Sequence, residues 1–244
     1  MDQNLIKQLE NDFNNKIEKL VDGKNHFILN DYDDSFLSYN RHALAINCVG
    51  KSLLVRSSDK NLLEELERGY SDYPAEWFME VPNLIKLQEI LNNHNMTLKN
   101  MGPLMGPSRS FKIIDSPYKF TRIKEEDFFK FKGVTKHAFS FDDGIWKDRL
   151  ALAYYDKEKL IAIVGANQNS KYLWEIGVEK FDYNTKYKNV TSHLVNNLAD
   201  IAREENPEIT VIYSTQFSHV KSMNVAMRAG YDFAFSFLVG DKEE

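Results

Sequence analysis

The stretch WEIGVEKFDYNTKYKNVTSHLV, Trp174–Val195, decides how the rest of the chain is read. It begins as a strand (YLWEIGVEKF), passes through a polar loop without a glycine between Phe181 and Val195, and enters a helix. The helix, expected over residues 191–205, is set by Leu194, Val195, Leu198, Ile201 and Ala202 on one side, with Asn196, Asn197, Asp200 and Arg203 opposite. Thr191 or Ser192 can cap its start. A helix N-terminus offers unpaired main-chain donors and the positive end of the helix dipole, which together suit an anion. Loops that hold phosphate there usually use glycine for its positive φ. Here Asn189 is the best non-glycine substitute for that conformation, the Thr191 hydroxyl can donate to an oxyanion, and Lys186 and Lys188 add charge. The alternative is a merely solvated connection.

Outward from this stretch the pattern alternates. YKFTRI is expected as a strand, Lys124–Lys132 as a helix, and RLALAYY with KLIAIVGAN as a hairpin around Asp156–Lys159. ITVIYST is expected as a strand, Ser218–Ala229 as a helix, and DFAFSFLV as a last strand. Toward the N-terminus, Leu5, Leu9, Phe13, Ile17 and Leu20 predict an amphipathic helix over residues 3–21. HALAINCV and SLLVRS predict a hairpin at Gly50-Lys51, Asp59 a helix cap, and NLIKLQEILNNH a further helix. Two Met-Gly-Pro steps in MGPLMGPSRS argue against regular structure and mark a connection over residues 98–116. Strands alternating with helices predict an α/β or α+β sheet. The organisation expected is an N-terminal accessory α/β region, residues 1–110, and a second domain, residues 111–244.

The 244 residues suffice for a sizeable core, and 43% hydrophobic with 27% charged residues is an ordinary globular balance. A net charge of -5 disfavours whole-surface attraction to nucleic acid or anionic lipid. The single cysteine, Cys48, cannot form an internal disulfide and reads as a packed, inert thiol. No signal peptide or membrane span is visible, so a cytoplasmic location is expected. The six histidines show no i, i+4 pair, so no metal site is expected.

From Tyr118 onward the chain resembles the GNAT superfamily of acetyl-CoA-dependent N-acetyltransferases, in which a strand leads into a loop of pattern Arg/Gln-x-x-Gly-x-Gly/Ala and then a helix. On that pattern Lys186 stands at the Arg/Gln position, Asn189 at the first glycine, Thr191 at the Gly/Ala position, and Phe181 at the strand's last inward apolar residue. Downstream, HVKSMNVAMRAGY places His219, Ser222, Val225-Ala226 and Gly230-Tyr231 at the family's intervals, with His219 replacing an asparagine. The run EIGV with YST, and EWFMEVPNLIKLQEILNNHNMTLKN upstream, resemble a bacterial group of GNAT proteins with an extra N-terminal region.

The resemblance implies a GNAT-like, mostly antiparallel mixed sheet flanked by helices, with acetyl-CoA as co-substrate. It implies cofactor contacts at Glu179, Lys180, Phe181, Lys186, Tyr187, Lys188, Asn189, Val190, Thr191, Ser192, His219 and Ser222. The acetyl group would pass directly to an amine on a small molecule or peptide, with no nucleic-acid or membrane partner; a homodimer is left open. Glu175, six residues before Phe181, matches the family's general base, the alternative being a strand carboxylate that faces solvent or pairs with a lysine, and the Phe181 amide or a neighbour would polarise the thioester carbonyl. The family's usual tyrosine acid is replaced by Ala226; Tyr213, Ser214, Thr215 and Ser222 are the substitutes at hand. Tyr70, Tyr73, Trp77 and Phe78 could form either core or an acceptor cleft, and Asp142, Asp143 and Asp148 either an amine-attracting or a solvated loop. The rival function is a non-catalytic acyl-CoA-binding sensor or interaction module on the same fold; a purely structural protein is the third.

Overall fold

The apolar spacing at the N-terminus makes α1 (Gln3–Asp12), but the expected helix over 3–21 is broken in two. Asn14 takes φ +45, a left-handed residue that ends the helical path, and a single turn, α2 (Ile17–Leu20), follows. The computed structural model describes residues 1–243. They divide into two units. One holds Ile6–Leu104 and the segment from Ala234 onward; the other holds Met1–Leu5 and Met105–Phe233.

In the first unit β1 (His26–Leu29) runs parallel to β3 (Ser52–Ser57), which forms an antiparallel hairpin with β2 (Leu44–Val49). The hairpin turns at Gly50, whose φ of +60 suits glycine, as expected from the sequence. The last strand, β10 (Tyr231–Lys242), pairs antiparallel with β2 from Ser236 to Gly240. One sheet face is covered by α3 (Lys60–Tyr70) and α4 (Val81–Asn92). Asp59 caps α3 by accepting from the amides of Asn61 and Leu62. Leu44, Ile46, Leu53, Val55, Leu62, Leu66, Leu87, Leu91 and Leu238 fill the core beneath, each such side chain contributing about 1.5–3 kcal/mol by burial. Cys48 packs against this core, and burial pushes its thiol up to about 12, the inert state expected.

Elsewhere in this unit lies a buried polar cluster. Asp12 accepts hydrogen bonds from the Gln8 and Asn40 side chains and the Leu37 amide. Fully buried Arg56 donates to the carbonyls of Asn30, Asn40 and His42. The MGPLMGP segment does not form the irregular connection expected: β4 (Met96–Pro107) is extended through both Met-Gly-Pro steps. A proline's fixed φ is compatible with extended chain and removes only its own ladder donor.

In the second unit the strand order is β5 (Thr121–Ile123), β6 (Asp148–Asp156), β7 (Lys159–Gln168), β8 (Leu173–Lys180), β9 (Thr210–Ser214). All neighbours are antiparallel except β8 and β9. The β6–β7 hairpin turns at Asp156–Lys159 as expected, with Lys157 at φ +57. Residues Glu125–Phe131 form a 3-10 helix instead of the expected α-helix. Below the sheet lies α5 (Val190–Glu205), whose Leu194, Val195 and Leu198 pack on Leu150, Val164, Ile176 and Val211. Above it, Phe128, Phe139 and Ala138 cover Ala151, Ala153 and Ile163. The helix α6 (Val220–Arg228) follows β9. The mixed, mostly antiparallel sheet flanked by helices is the architecture expected from the sequence. Among the described residues no helix is long and apolar enough to cross a membrane.

Candidate active site

The parallel ladder between β8 and β9 is short. Leu173, Trp174 and Glu175 pair with Thr210, Val211 and Ile212, and there it ends. Beyond it β8 continues to Lys180 while its other edge stays paired with β7. The Phe181 amide donates to the Ile161 carbonyl at 2.8 Å, so it belongs to the β7 side and is not available to polarise a thioester. Main-chain groups alternate along a strand. Hence the amides of Ile176, Val178 and Lys180 point toward the β9 side; the Glu175–Ile212 bridge engages that of Ile176, so those of Val178 and Lys180, beyond the ladder, replace Phe181 as candidate polarising donors.

Side chains alternate as well. Trp174 and Ile176 enter the core with α5. Glu175, Gly177 and Glu179 stand on the opposite face. Glu175 is half-buried; the Asn169 side chain donates to one carboxylate oxygen and the Ser214 hydroxyl to the other. That grip fixes the carboxylate where the ladder between β8 and β9 ends.

Next along this face, Gly177 is the cross-strand partner of Gly165. Residues 137–139 lie directly over the pair. A Cβ on Gly177 would come within 2.8 Å of the His137 carbonyl carbon, and one on Gly165 within 3.1 Å of the Ala138 carbonyl carbon, overlapping the attached oxygens. One position on, Glu179 fastens this strap: Thr135 Oγ1 donates to it at 2.6 Å, and the Lys136 and His137 amides at 2.7 and 3.4 Å. Burial pushes the Glu179 carboxyl up, but these donors outweigh it and hold the group below its ordinary value. Phe181 continues the face and packs against the Phe139 cluster.

The loop to α5 keeps the turn that its sequence suggests. Asn189 sits at φ 59, ψ 10, in the left-handed region, and its carbonyl accepts the first helical bond from the His193 amide at 3.1 Å. Asn189 itself is the N-cap residue, without a side-chain cap bond, so the cap expected at Thr191 or Ser192 lies two to three residues too late. The amides of Val190, Thr191 and Ser192 therefore belong to the open first turn. The side chains of Val190 and Ser192 are buried, leaving Thr191 half-buried and Lys188 exposed at this end.

No protein-family model matches the chain, and no curated protein matches it. Among solved structures it is similar to an acetyltransferase of the GNAT family from Colwellia psychrerythraea, at 15% identity over 65% of this chain and 62% of that one, with a TM-score of 0.44. A GCN5-related N-acetyltransferase from Kribbella flavida gives 15% identity over 65% and 64%, TM-score 0.46. A GCN5-related N-acetyltransferase-like protein from Streptococcus suis gives 12% over 82% and 83%, TM-score 0.42. The chain spans a little under two thirds of the Colwellia and Kribbella structures. The likeness is one of fold; the chemistry has to be read from this chain's own residues.

Several of the residues expected at the cofactor have other partners. Lys186 Nζ lies 2.8 Å from Asp156, whose same oxygen accepts from the Tyr187 hydroxyl at 2.6 Å, so its charge is already countered. Lys180 Nζ donates to the Tyr187 carbonyl at 2.9 Å, and burial lowers its pKa. Lys188 is the loop lysine whose charge stays in solvent; its carbonyl accepts from the Tyr118 hydroxyl at 2.7 Å. His219, the N-cap residue of α6, is exposed, with Nδ1 3.3 Å from Thr215 Oγ1; its carbonyl accepts from the Ser222 and Met223 amides while its ring makes no cap bond. Ser222 lies 2.9 Å from the Tyr213 hydroxyl, which burial pushes up in pKa. Ala226 is fully buried.

The aromatic set Tyr70, Tyr73 and Phe78 packs edge to face within the core of its unit, while Trp77 is exposed. Asp148 accepts from the amides of Ser140 and Phe141, and Asp142 from those of Gly144 and Trp146, so both shape their loop. Sequence reasoning missed Asn169, the strap and the glycine pair. A glycine inside each of two adjacent strands was the available signal, since strand glycines mark close approach of other backbone.

Proposed function

We propose that the chain is a GNAT-type N-acetyltransferase that takes acetyl-CoA and acetylates an amine. The observation that carries this reading is the end of the β8–β9 ladder at Glu175, five residues before β8 itself ends, with a left-handed residue and an open helix turn at the end of the loop that follows β8. The pantetheine arm would pair with the amides of Val178 and Lys180 on the vacated edge. The diphosphate would sit at the Val190–Ser192 amides, with Lys188 beside it. These groups fit an anion by their chemistry: unpaired donors at the positive end of α5.

In the transfer, Glu175 takes a proton from the acceptor ammonium, directly or through water. The amine nitrogen forms its bond to the acetyl carbon, with the carbonyl oxygen held by a β8 amide. The carbon–sulfur bond then breaks, the nitrogen gives up its second proton to solvent, and the thiolate takes a proton from solvent, directly or relayed through the Tyr213–Ser222 hydroxyl pair, which is left neutral; Glu175 returns its own proton to solvent. Asn169 and Ser214 orient Glu175. The acceptor would be a small molecule or peptide amine approaching along the strap.

The buried Ala226, which supplies no hydroxyl where the family's acid stands, favours a second reading, an acyl-CoA-binding module without turnover. Titration with acetyl-CoA by calorimetry tests both; absence of heat at millimolar ligand would reject them together. Release of coenzyme A in the presence of polyamines, aminoglycosides, amino acids and peptides then separates them. For the enzyme, Glu175→Gln lowers kcat by about 10²–10⁴-fold. Unchanged turnover in that variant would remove Glu175 from the base role.

A further inference from the structure

Outside the candidate site, one surface of the first unit carries an apolar stripe without a partner. Val81 and Ile85 lie one turn apart at the start of α4, and Trp77 stands four residues before Val81 at the end of the 3-10 turn that precedes it, with the extended residue Glu80 between. They are 60%, 69% and 57% exposed, although the same segment buries Phe78, Leu87 and Leu91 beneath them. Glu89 continues the stripe one turn on, and Glu76 and Glu80 stand beside it. All three are exposed, and among the described residues none of these carboxylates makes a hydrogen bond or ion pair. The lysine on the same helix, Lys86, is turned over the Tyr70 ring at 5.1 Å.

We propose that this stripe docks a basic amphipathic helix of a partner protein. Trp77 is the anchor: a large aromatic side chain contributes most when it becomes fully desolvated in an interface. Val81 and Ile85 supply the apolar bed. The uncompensated charges of Glu76, Glu80 and Glu89 select lysine or arginine at the rim and raise the rate of encounter. A second copy of this chain is disfavoured as occupant, because pairing the stripe with itself would bring three carboxylates against three others. The proposal does not depend on acetyl transfer.

The test uses the full chain and an 18-residue helical peptide built only from leucine and lysine in amphipathic order. Two control peptides accompany it, one with glutamate replacing lysine and one with the same composition scrambled. Calorimetry is expected to show saturable binding of the first peptide alone. Affinity falls at least about tenfold in Trp77→Ala, the size of a truncated interface anchor. A similar fall is expected in the triple variant Glu76→Gln, Glu80→Gln, Glu89→Gln, and on raising the salt. All four residues are exposed, so unchanged melting temperatures should confirm intact folding. Absence of binding, equal binding of the scrambled or acidic peptide, or unaltered affinity in either variant would overturn the proposal. So would a dimer in sedimentation that Trp77→Ala dissociates, since that outcome assigns the stripe to a second copy.

Discussion

Gly165 and Gly177 face each other across β7 and β8, and together they form the slot in which the strap at 137–139 lies. Neither glycine has a positive φ in the set of left-handed residues; each is needed for space rather than for turning. Gly177→Ala should therefore lift the strap. The expected cost is about 1–3 kcal/mol of unfolding free energy, the range of an overpacked core, read by urea denaturation. Faster amide exchange confined to residues 135–139 would locate the damage; an unchanged midpoint would show that the strap yields freely.

Glu179 fastens the same strap, and its carboxyl is held below the ordinary 4.5. A lowered folded-state pKa adds stability that is present above about pH 4.5 and fades as pH falls through the depressed value. Glu179→Gln should flatten that acid limb: the variant is less stable than the parent at pH 8, and the two converge as the pH falls below about 4.5. Parallel acid-denaturation curves for the two proteins would contradict the assignment.

Asp12 works with the opposite sign. Burial raises its carboxyl from 3.8 to about 6 against the bonds from Asn40, Gln8, Asn11 and Leu37, which lower it. The folded chain thus holds the proton more tightly than the unfolded one, and this contribution is full below about pH 4 and lost as pH rises through about 6. Thermal melts between pH 4 and 7 should show it, and Asp12→Asn should remove that slope.

Asn189 occupies a conformation that glycine tolerates freely and branched residues resist. Asn189→Gly should leave stability within about 0.5 kcal/mol, relief of strain offsetting the added chain entropy. Asn189→Val should lose about 1–2 kcal/mol. If acetyl-CoA binds at this turn, the glycine variant should bind at least as tightly as the parent chain by calorimetry.

Local chemistry made much of this legible. The α5 stripe, the hairpin at Gly50, the Asp59 cap and the left-handed Asn189 all follow from side-chain type and spacing, and all are present. What failed to show was non-local. Nothing in MGPLMGP says that it will be extended in β4, because a strand's neighbours come from distant sequence. The break at Asn14 was hidden by apolar residues that keep helical spacing across it. In the site, Glu175 could be picked out, but its grip by Asn169 and Ser214 depends on how β8 and β9 meet. Lys186 looked like a phosphate ligand until Asp156, thirty residues earlier, came beside it.

The lone sulfhydryl, Cys48, has a practical consequence. With ionisation delayed until about pH 12, it stays silent toward colorimetric disulfide reagents at neutral pH, so the folded polypeptide contributes almost no background. If the chain turns over acetyl-CoA as proposed, yellow colour developing in such an assay would report liberated coenzyme A, and acceptor libraries could be screened without first mutating the protein.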